Sequence, residues 1–153
     1  MSETLSRRLL QTKFEGPHHE ALLGILLAHS AIDAVFDDIF DGTGITQQQY
    51  NVLRILNGAY PNSHPRGEIA RRMVRRAPDL TRMLDRLVRM ELVEREKGEQ
   101  DHRQSLARIT EQGRTLIERL HPQVQEATQF MAERLSADEA QHLSKLLERI
   151  YSD

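Results

Sequence analysis

The sequence predicts a mainly α-helical fold with one small β-hairpin, in which a winged helix-turn-helix unit lies between helices at both ends. Two observations predict the central unit. Residues 67–90 hold two helical apolar patterns separated by a short turn, and residues 92–109 hold two alternating runs separated by a polar tip. A third observation predicts the flanks, because the apolar stripes of residues 22–40 and 143–150 are wider than a small winged unit needs for its own core.

The first helix is predicted over Pro17–Phe40 and stops at the glycine-containing turn of residues 41–44. Thr46 and Gln49 then form a capping box, in which each side chain satisfies the backbone N–H of the other residue. The helix that this box opens is predicted to end at Asn57-Gly58, before a loop over residues 60–65. Its inward side chains are predicted to be Tyr50, Leu53 and Leu56.

The helix-turn-helix is predicted as a short helix over residues 67–74, a turn over 75–77 and a second helix with Pro78 at its first position. Proline suits that position because its missing N–H would have no helical partner there. Alternating apolar and charged residues then predict two strands over 92–96 and 105–109. The inward residues of the two helices are predicted to be Ile69, Ala70, Met73, Leu80, Leu84, Leu87 and Val88. The outer side of the second helix carries Asp79, Arg82, Arg86 and Arg89.

Two further helices are predicted after the hairpin. Thr110 caps a long helix that runs to about residue 135, with Pro122 inside it as a source of bending. Ser136 and Glu139 form a second capping box and open a final helix. The apolar residues of that final helix are Ala140, Leu143, Leu146, Leu147 and Ile150.

Composition limits what the chain can do. Its 153 residues suffice for one domain, or one domain with appended helices, and can bury a sizeable core. The sequence contains no run of 18 apolar residues, so no membrane span is predicted. The N-terminus lacks the apolar stretch of a secretion signal. We therefore expect a cytoplasmic protein. Cysteine is absent, which excludes disulfides and thiolate chemistry.

Neither a metal site nor a catalytic site is predicted. His19 and Glu20 are followed by Leu23 at the position where a zincin motif needs its second histidine. Asp33 and Asp37 share a helix face, but no nucleophile or base accompanies them in the sequence. No glycine-rich phosphate loop is present. We expect no cofactor, no metal and no enzyme activity, with metal sensing across subunits as the alternative left open.

Charge is distributed unevenly along the chain, although the net charge is only −2. Residues 64–90 hold eight arginines against three acidic residues, a local charge of +5. Residues 1–45 hold three basic against seven acidic residues, a local charge of −4. Such segregation predicts a basic face for a polyanion. The alternative is that the arginines are solvated and pair along the helix, Asp79 with Arg82 and Asp85 with Arg89.

Two segments resemble the MarR family of bacterial transcription regulators. DHRQSLARITEQGRTL, residues 101–116, is similar to the family's wing signature, an acidic residue and an arginine before a strand that ends in Leu/Ile-Thr-x-x-Gly. TRMLDRLVRMELVERE, residues 81–96, resembles the family's recognition helix and first wing strand. The resemblance covers residues 22–150 with two departures. Ala77, Pro78 and Asp79 replace the usual Ser or Thr cap, and His102 replaces the second wing arginine.

The resemblance implies a homodimer whose terminal helices intertwine. It divides one compact chain into an N-terminal arm and dimerisation helix (1–45), a winged helix-turn-helix (46–110) and C-terminal dimerisation helices (111–153). The recognition helix would enter the major groove of double-stranded DNA and the wing the minor groove. Asp101 is expected to orient Arg103 or brace the hairpin. The residues expected to contact DNA are Arg75, Arg76, Thr81, Arg82, Arg86 and Arg103.

The function that the resemblance implies is a sequence-specific DNA-binding repressor released by a small aromatic ligand. We expect His29, Phe36 and Tyr50 to line the ligand pocket, because apolar rings with a few polar tips suit a small aromatic anion. The alternative is that all three are ordinary core or interface residues. A different class of function also stays open, a winged-helix adaptor whose arginine face meets an acidic protein without binding DNA.

Overall fold

A computed structural model describes residues 3–10, 13–97 and 105–152. The contacts divide the chain into two units, residues 1–38 and 39–153. Among the described residues, no helix has the length and apolar character to cross a lipid bilayer. The elements are, in chain order, α1 (Glu3–Leu9), α2 (Pro17–Phe40), α3 (Gln47–Ala59), β1 (His64–Pro65), α4 (Arg66–Arg72), α5 (Leu80–Arg89), β2 (Val93–Lys97), β3 (Ser105–Ile109), α6 (Glu111–Ala132) and α7 (Ala137–Tyr151).

The first unit contains α1 and most of α2. The sequence patterns did not predict α1, since its single buried side chain, Leu5, is too little to show a helical apolar period. The bounds of α2 are those predicted. Much of its apolar stripe stays uncovered, because Leu22 and Leu26 are each 55% exposed. A single chain therefore leaves apolar side chains of this helix in water.

The core of the second unit joins α3, the helix-turn-helix and the sheet. Its fully buried side chains are Val52, Leu53, Leu56, Ile69, Leu84, Leu87, Val93 and Ile109. Each such side chain stabilises the fold by roughly 1.5–3 kcal/mol relative to an exposed position. Tyr50 and Leu80 are buried as predicted. Ala70 is exposed, so its predicted inward position is wrong.

The sheet has one strand more than the predicted hairpin. β2 and β3 pair antiparallel, and β2 begins one residue later than predicted. β1 adds two residues on the other edge of β3, where His64 lies opposite Ala107. The loop predicted over residues 60–65 is therefore wrong at its end, and α3 continues through the predicted helix end at Asn57-Gly58 to Ala59. A residue that precedes proline favours extended backbone, and the free edge of β3 provides its partners.

Capping interactions confirm two predicted helix starts. The Thr46 hydroxyl accepts from the backbone N–H of Gln49 at 3.2 Å, and the Gln49 side chain accepts from the backbone N–H of Thr46 at 2.9 Å. Ser136 and Glu139 form the second capping box in the same way. Each box satisfies two backbone donors that the first helical turn leaves without partners.

The start of α5 differs from its prediction. Pro78 lies in the turn before the helix, and α5 begins at Leu80. Asp79 is the N-cap, because its Oδ1 accepts from the backbone N–H of Arg82 at 3.2 Å. A helix with Pro78 in first position would need Ala77 as its cap, and an alanine side chain has no acceptor.

Backbone contacts join the end of α5 to the start of α6. Glu91 has a φ of +59°, and the N–H groups of Glu91 and Leu92 return to carbonyls of the last turn of α5 in a Schellman motif. The backbone N–H of Thr110 donates to the Leu92 carbonyl at 3.1 Å. The Thr110 hydroxyl donates to the Glu91 carbonyl at 2.7 Å and accepts from the Gly113 N–H at 3.1 Å. The end of α5, the sheet and the start of α6 therefore meet at one junction.

Candidate DNA-binding surface

The turn between α4 and α5 is held by α3. α4 ends before Met73, earlier than predicted, and the Met73 side chain is buried. The Oδ1 of Asn51 on α3 accepts from the backbone N–H of Val74 at 3.0 Å. Because α4 has ended, the N–H of Val74 has no helical acceptor, and Asn51 supplies one. The bond holds the turn against α3. Arg75 and Arg76 follow immediately and lie in this turn.

The outer side of α5 presents a row of exposed side chains, which we call the α5 face. Leu80, Leu84 and Leu87 bury the opposite side of the helix, so rotation of α5 about its axis would expose its core residues. Arg82 and Arg86 are four residues apart and therefore share one side of the helix. The α5 face consists of Thr81, Arg82, Arg86 and Arg89, all of them exposed.

Ion pairs lower the effective charge of some of the arginines around this face. Glu68 binds both Arg71 and Arg72 on α4, the latter at 2.6 Å. The hydrogen bond from Arg72, together with the charges of both arginines, lowers the pKa of Glu68, so that this carboxylate stays ionised. On α5, the pair of Asp79 and Arg82 that the alternative interpretation proposed is present, with Oδ2 of the aspartate 3.0 Å from Nε of the arginine.

A salt bridge ties α5 to the sheet. The alternative interpretation of the arginines paired Asp85 with Arg89 along the helix, but the Oδ1 of Asp85 instead binds Arg95 of β2 at 2.6 Å. Arg95 also donates to the hydroxyl of Ser105 on β3 at 3.0 Å. The different pairing arises because α5 packs against β2, which brings a cation from the sheet to the carboxylate. One arginine thus connects the helix to both strands of the hairpin.

Five of the six residues expected to contact DNA lie between the end of α4 and the middle of α5. Arg75 is half-buried, and the exposed residues are Arg76, Thr81, Arg82 and Arg86. Arg103, its expected partner Asp101 and the neighbouring His102 lie outside the described residues.

Asn51 and Arg95 support this surface, and the sequence patterns did not reveal either role. The partner of Asn51 is 23 residues away, and the partner of Arg95 is 10 residues away. Each pair joins two different elements, α3 with the turn and α5 with β2, so no spacing within one element could have indicated these contacts.

The three residues expected to line an effector pocket have different surroundings. His29 on α2 is 53% exposed, and its Nδ1 lies 3.2 Å from the Asp33 carboxylate. Phe36 on the same helix is half-buried. Tyr50 on α3 packs against Phe40 with ring centroids 5.3 Å apart, and burial raises the pKa of its hydroxyl. The Tyr50 hydroxyl is therefore protonated at neutral pH and can donate a hydrogen bond.

A cavity of about 440 Å³ lies within the second unit, next to the end of α5. Its volume is in the range of small-molecule sites. It combines apolar side chains with hydroxyls, an amide and one guanidinium. The lining residues are Thr43, Met90, Leu92, Gln112, Thr115, Leu116 and Arg119. In the part of the chain that the structure describes, no three His, Asp or Glu side chains are grouped to hold a metal ion.

Sequence comparison relates this surface to known regulators. The family model for MarR matches residues 45–105, a range that includes α3, the turn, α5 and β2. The homoprotocatechuate degradative operon repressor of Escherichia coli is 31% identical over 131 residues. That alignment covers 86% of this chain and 87% of the repressor.

Structure comparison leads to the same group of proteins. A mutant of MarR from Escherichia coli in complex with operator DNA has a TM-score of 0.75 and 30% identity, covering 83% of this chain and 90% of that one. A MarR transcription factor from Planctomyces limnophilus has a TM-score of 0.69 and 31% identity, covering 89% of this chain and 98% of that one. These coverages extend the similarity beyond the helix-turn-helix and the sheet to the flanking helices.

Proposed function

Because this chain belongs to the MarR family of DNA-binding transcription regulators, we propose that it is a cytoplasmic, homodimeric repressor released from its operator by a small aromatic ligand. The observation that carries the proposal is the α5 face, an exposed basic helix surface held by Asn51 on one side and Arg95 on the other. The relatives are transcription regulators, and we assign this chain no catalytic activity.

The α5 face has the shape and the donors to bind the major groove of double-stranded DNA. A helix fits that groove, and an arginine fork can bind O6 and N7 of guanine or two phosphate oxygens. Thr81 in the first turn of α5 adds a hydroxyl for a base edge or a phosphate. The bridge between Asp85 and Arg95 keeps the helix and the hairpin in one orientation. Contacts of the wing, including the one expected of Arg103, would therefore align with those of α5.

We expect Arg82→Ala and Arg86→Ala each to weaken operator binding by roughly 1–3 kcal/mol where the arginine contacts a base. Arg103→Ala should weaken binding most at operators with A·T-rich flanks, whose narrow minor groove attracts arginine. Fluorescence anisotropy over a range of salt concentrations measures both effects. The logarithm of affinity should fall linearly with the logarithm of salt concentration, because phosphate contacts release counterions.

Arg54→Ala is the matched control for these variants, because it removes an exposed arginine from α3 rather than from the α5 face. It should change operator affinity little. Unchanged affinity in all three test variants would mean that the α5 face has another purpose. Binding to random duplex DNA at low salt distinguishes a DNA-binding repressor from a protein-binding adaptor. An adaptor should bind such DNA weakly, and its binding should change little with salt concentration.

The helices outside the winged unit support the homodimer. α7 has 15 residues and none of them is buried, with Ile150 at 67% and Tyr151 at 73% exposure. α2 leaves Leu22 and Leu26 exposed in the other unit. Apolar stripes of this width need a partner surface, and a second copy of the chain is the partner that the proposal assigns. Two copies would place two α5 helices in major grooves one turn apart, about 34–36 Å.

Two sites are candidates for the releasing ligand, which we infer to be a small aromatic carboxylate. The first is the set expected from the sequence, His29, Phe36 and Tyr50. The second is the cavity at the end of α5, where Arg119 could bind a carboxylate and Met90 and Leu92 follow directly on α5. A ligand in this cavity would contact residues that determine where α5 ends. Release from DNA requires only that the ligand binds more tightly to the conformation that fits DNA less well. The coupling free energy between the ligand site and the DNA site is typically 1–3 kcal/mol.

We expect salicylate-like anions at millimolar concentration to lower operator affinity by roughly 5- to 150-fold. Arg119→Ala should reduce this loss if the cavity is the site, whereas His29→Ala or Phe36→Ala should reduce it if the other set is the site. Arg134→Ala removes an exposed arginine beyond the end of α6 and serves as the control. Each variant must bind the operator normally without ligand. If no anion of the panel changes affinity, release by this class of ligand is wrong while DNA binding stands.

A further inference from the structure

The Asp79 carboxylate has two partners on one residue. Its Oδ1 accepts from the backbone N–H of Arg82 at 3.2 Å, which caps α5. Its Oδ2 lies 3.0 Å from Nε of the Arg82 side chain. We propose that Asp79 is a positioning residue that presents the Arg82 fork to guanine and so determines one base of the operator. This inference rests on the proposed function, because it concerns how α5 reads DNA.

The geometry of the pair leaves the base-reading end of the arginine available. A guanidinium donates through Nε and through two terminal nitrogens, and Asp79 engages the Nε side. The two terminal nitrogens are the pair that can bind O6 and N7 of one guanine together. The Arg82 side chain is 84% exposed, so this end faces solvent where the groove would lie.

Holding the side chain in place should increase specificity more than affinity. An exposed arginine otherwise samples many rotamers, and ordering it on binding costs roughly 0.5–1.5 kcal/mol. Asp79 orders the side chain before DNA arrives, which favours the complex with guanine. The same carboxylate adds a negative charge close to the DNA phosphates, which weakens binding to every sequence. Loss of Asp79 should therefore have two effects of opposite sign.

Asp79→Ser separates the two effects. Serine is an equally good N-cap, so the start of α5 is kept, but the charge and the contact to Nε are removed. A duplex library randomised over the operator is first bound by the unmodified protein and by Arg82→Ala. The position at which Arg82→Ala loses its preference for guanine defines the base pair that Arg82 contacts. Thermal unfolding of Asp79→Ser should be close to that of the unmodified protein.

We expect Asp79→Ser to lose about 2- to 10-fold of the guanine preference at that one base pair. Its affinity for random duplex DNA at low salt should stay equal or rise. Asp79→Asn, which keeps a cap oxygen but not the charge, should behave in the same way. A purely structural capping role would leave the preference unchanged in both variants, and that result would overturn the inference.

The outcomes also distinguish this inference from the proposed function. If the unmodified protein selects no sequence, both fail together. If the unmodified protein selects an operator but Arg82→Ala keeps its guanine preference, Arg82 is not the reader and the inference fails alone. The same holds if Arg82→Ala loses the preference while Asp79→Ser keeps it.

Discussion

Leu146→Asp should convert the proposed dimer into a monomer and lower operator affinity by about 10²–10⁴, because the two half-sites would no longer be bound by one molecule. Leu146 is 43% exposed on α7, a helix that has no buried residue in the single chain. A carboxylate on this stripe would have to be desolvated in an apolar interface, which costs free energy. Sedimentation velocity at micromolar concentration measures the oligomeric state, and anisotropy measures the affinity.

Gln141→Asp introduces the same charge on the opposite side of α7 and should leave both the dimer and the affinity unchanged. Deleting residues from Ser136 onward should give a monomer or an aggregate. A Leu146→Asp protein that sediments as a dimer would show that α7 does not form the interface. If the deleted chain still dimerises, α7 is not required for the dimer interface.

Gly113→Ala should lower the free energy of unfolding by about 1–3 kcal/mol. Gly113 lies in the first turn of α6, and a Cβ there would collide with the Leu92 carbonyl oxygen and stand 2.7 Å from Cγ1 of Ile109. The carbonyl cannot move away freely, because it accepts the backbone N–H of Thr110 at 3.1 Å. The junction therefore uses both the hydroxyl of Thr110 and the missing side chain of Gly113. Urea unfolding at fixed protein concentration measures the loss.

Gly58→Ala is the control for the alanine substitution itself. Gly58 is also helical, but apart from its chain neighbours and the nearby backbone of its own helix no atom lies within 4 Å of a Cβ built there. Alanine favours helix over glycine by about 1 kcal/mol, so Gly58→Ala should raise stability or leave it unchanged. Equal effects of the two substitutions would show that the close approach at Gly113 does not limit the fold.

The candidate site was predicted only in part. Contacts within one helix could be predicted from the sequence, whereas contacts between separate elements could not. The α5 face could be predicted because leucines at helical spacing place Arg82 and Arg86 on the opposite side. The pairing of Asp79 with Arg82 also follows from helical spacing. The pairing of Asp85 could not be predicted, because Arg89 on the helix and Arg95 on the strand are both reachable cations. Only the packing of α5 against β2 selects between them.

The start of α5 was predicted wrongly for a different, local reason. Pro78 and Asp79 are both residues that favour helix starts, and sequence patterns alone selected the wrong one. The selection depends on whether the residue before the helix offers a side-chain acceptor to the third N–H, as Asp79 does for Arg82. Of the two possible caps, Ala77 and Asp79, only Asp79 has such an acceptor, so this choice is made by local sequence and not by tertiary structure.

The sequence by itself determined the order and type of the helices from α2 onward and the two long strands, because apolar periods and capping boxes act over three or four residues. Tertiary structure alone decided the third strand, the path of the turn after α4 and the connection between α5 and the sheet. Each of these depends on a backbone edge or a side chain far along the chain, as Val74 depends on Asn51 and His64 on Ala107. Such partners meet only after the core leucines have brought their helices and strands together.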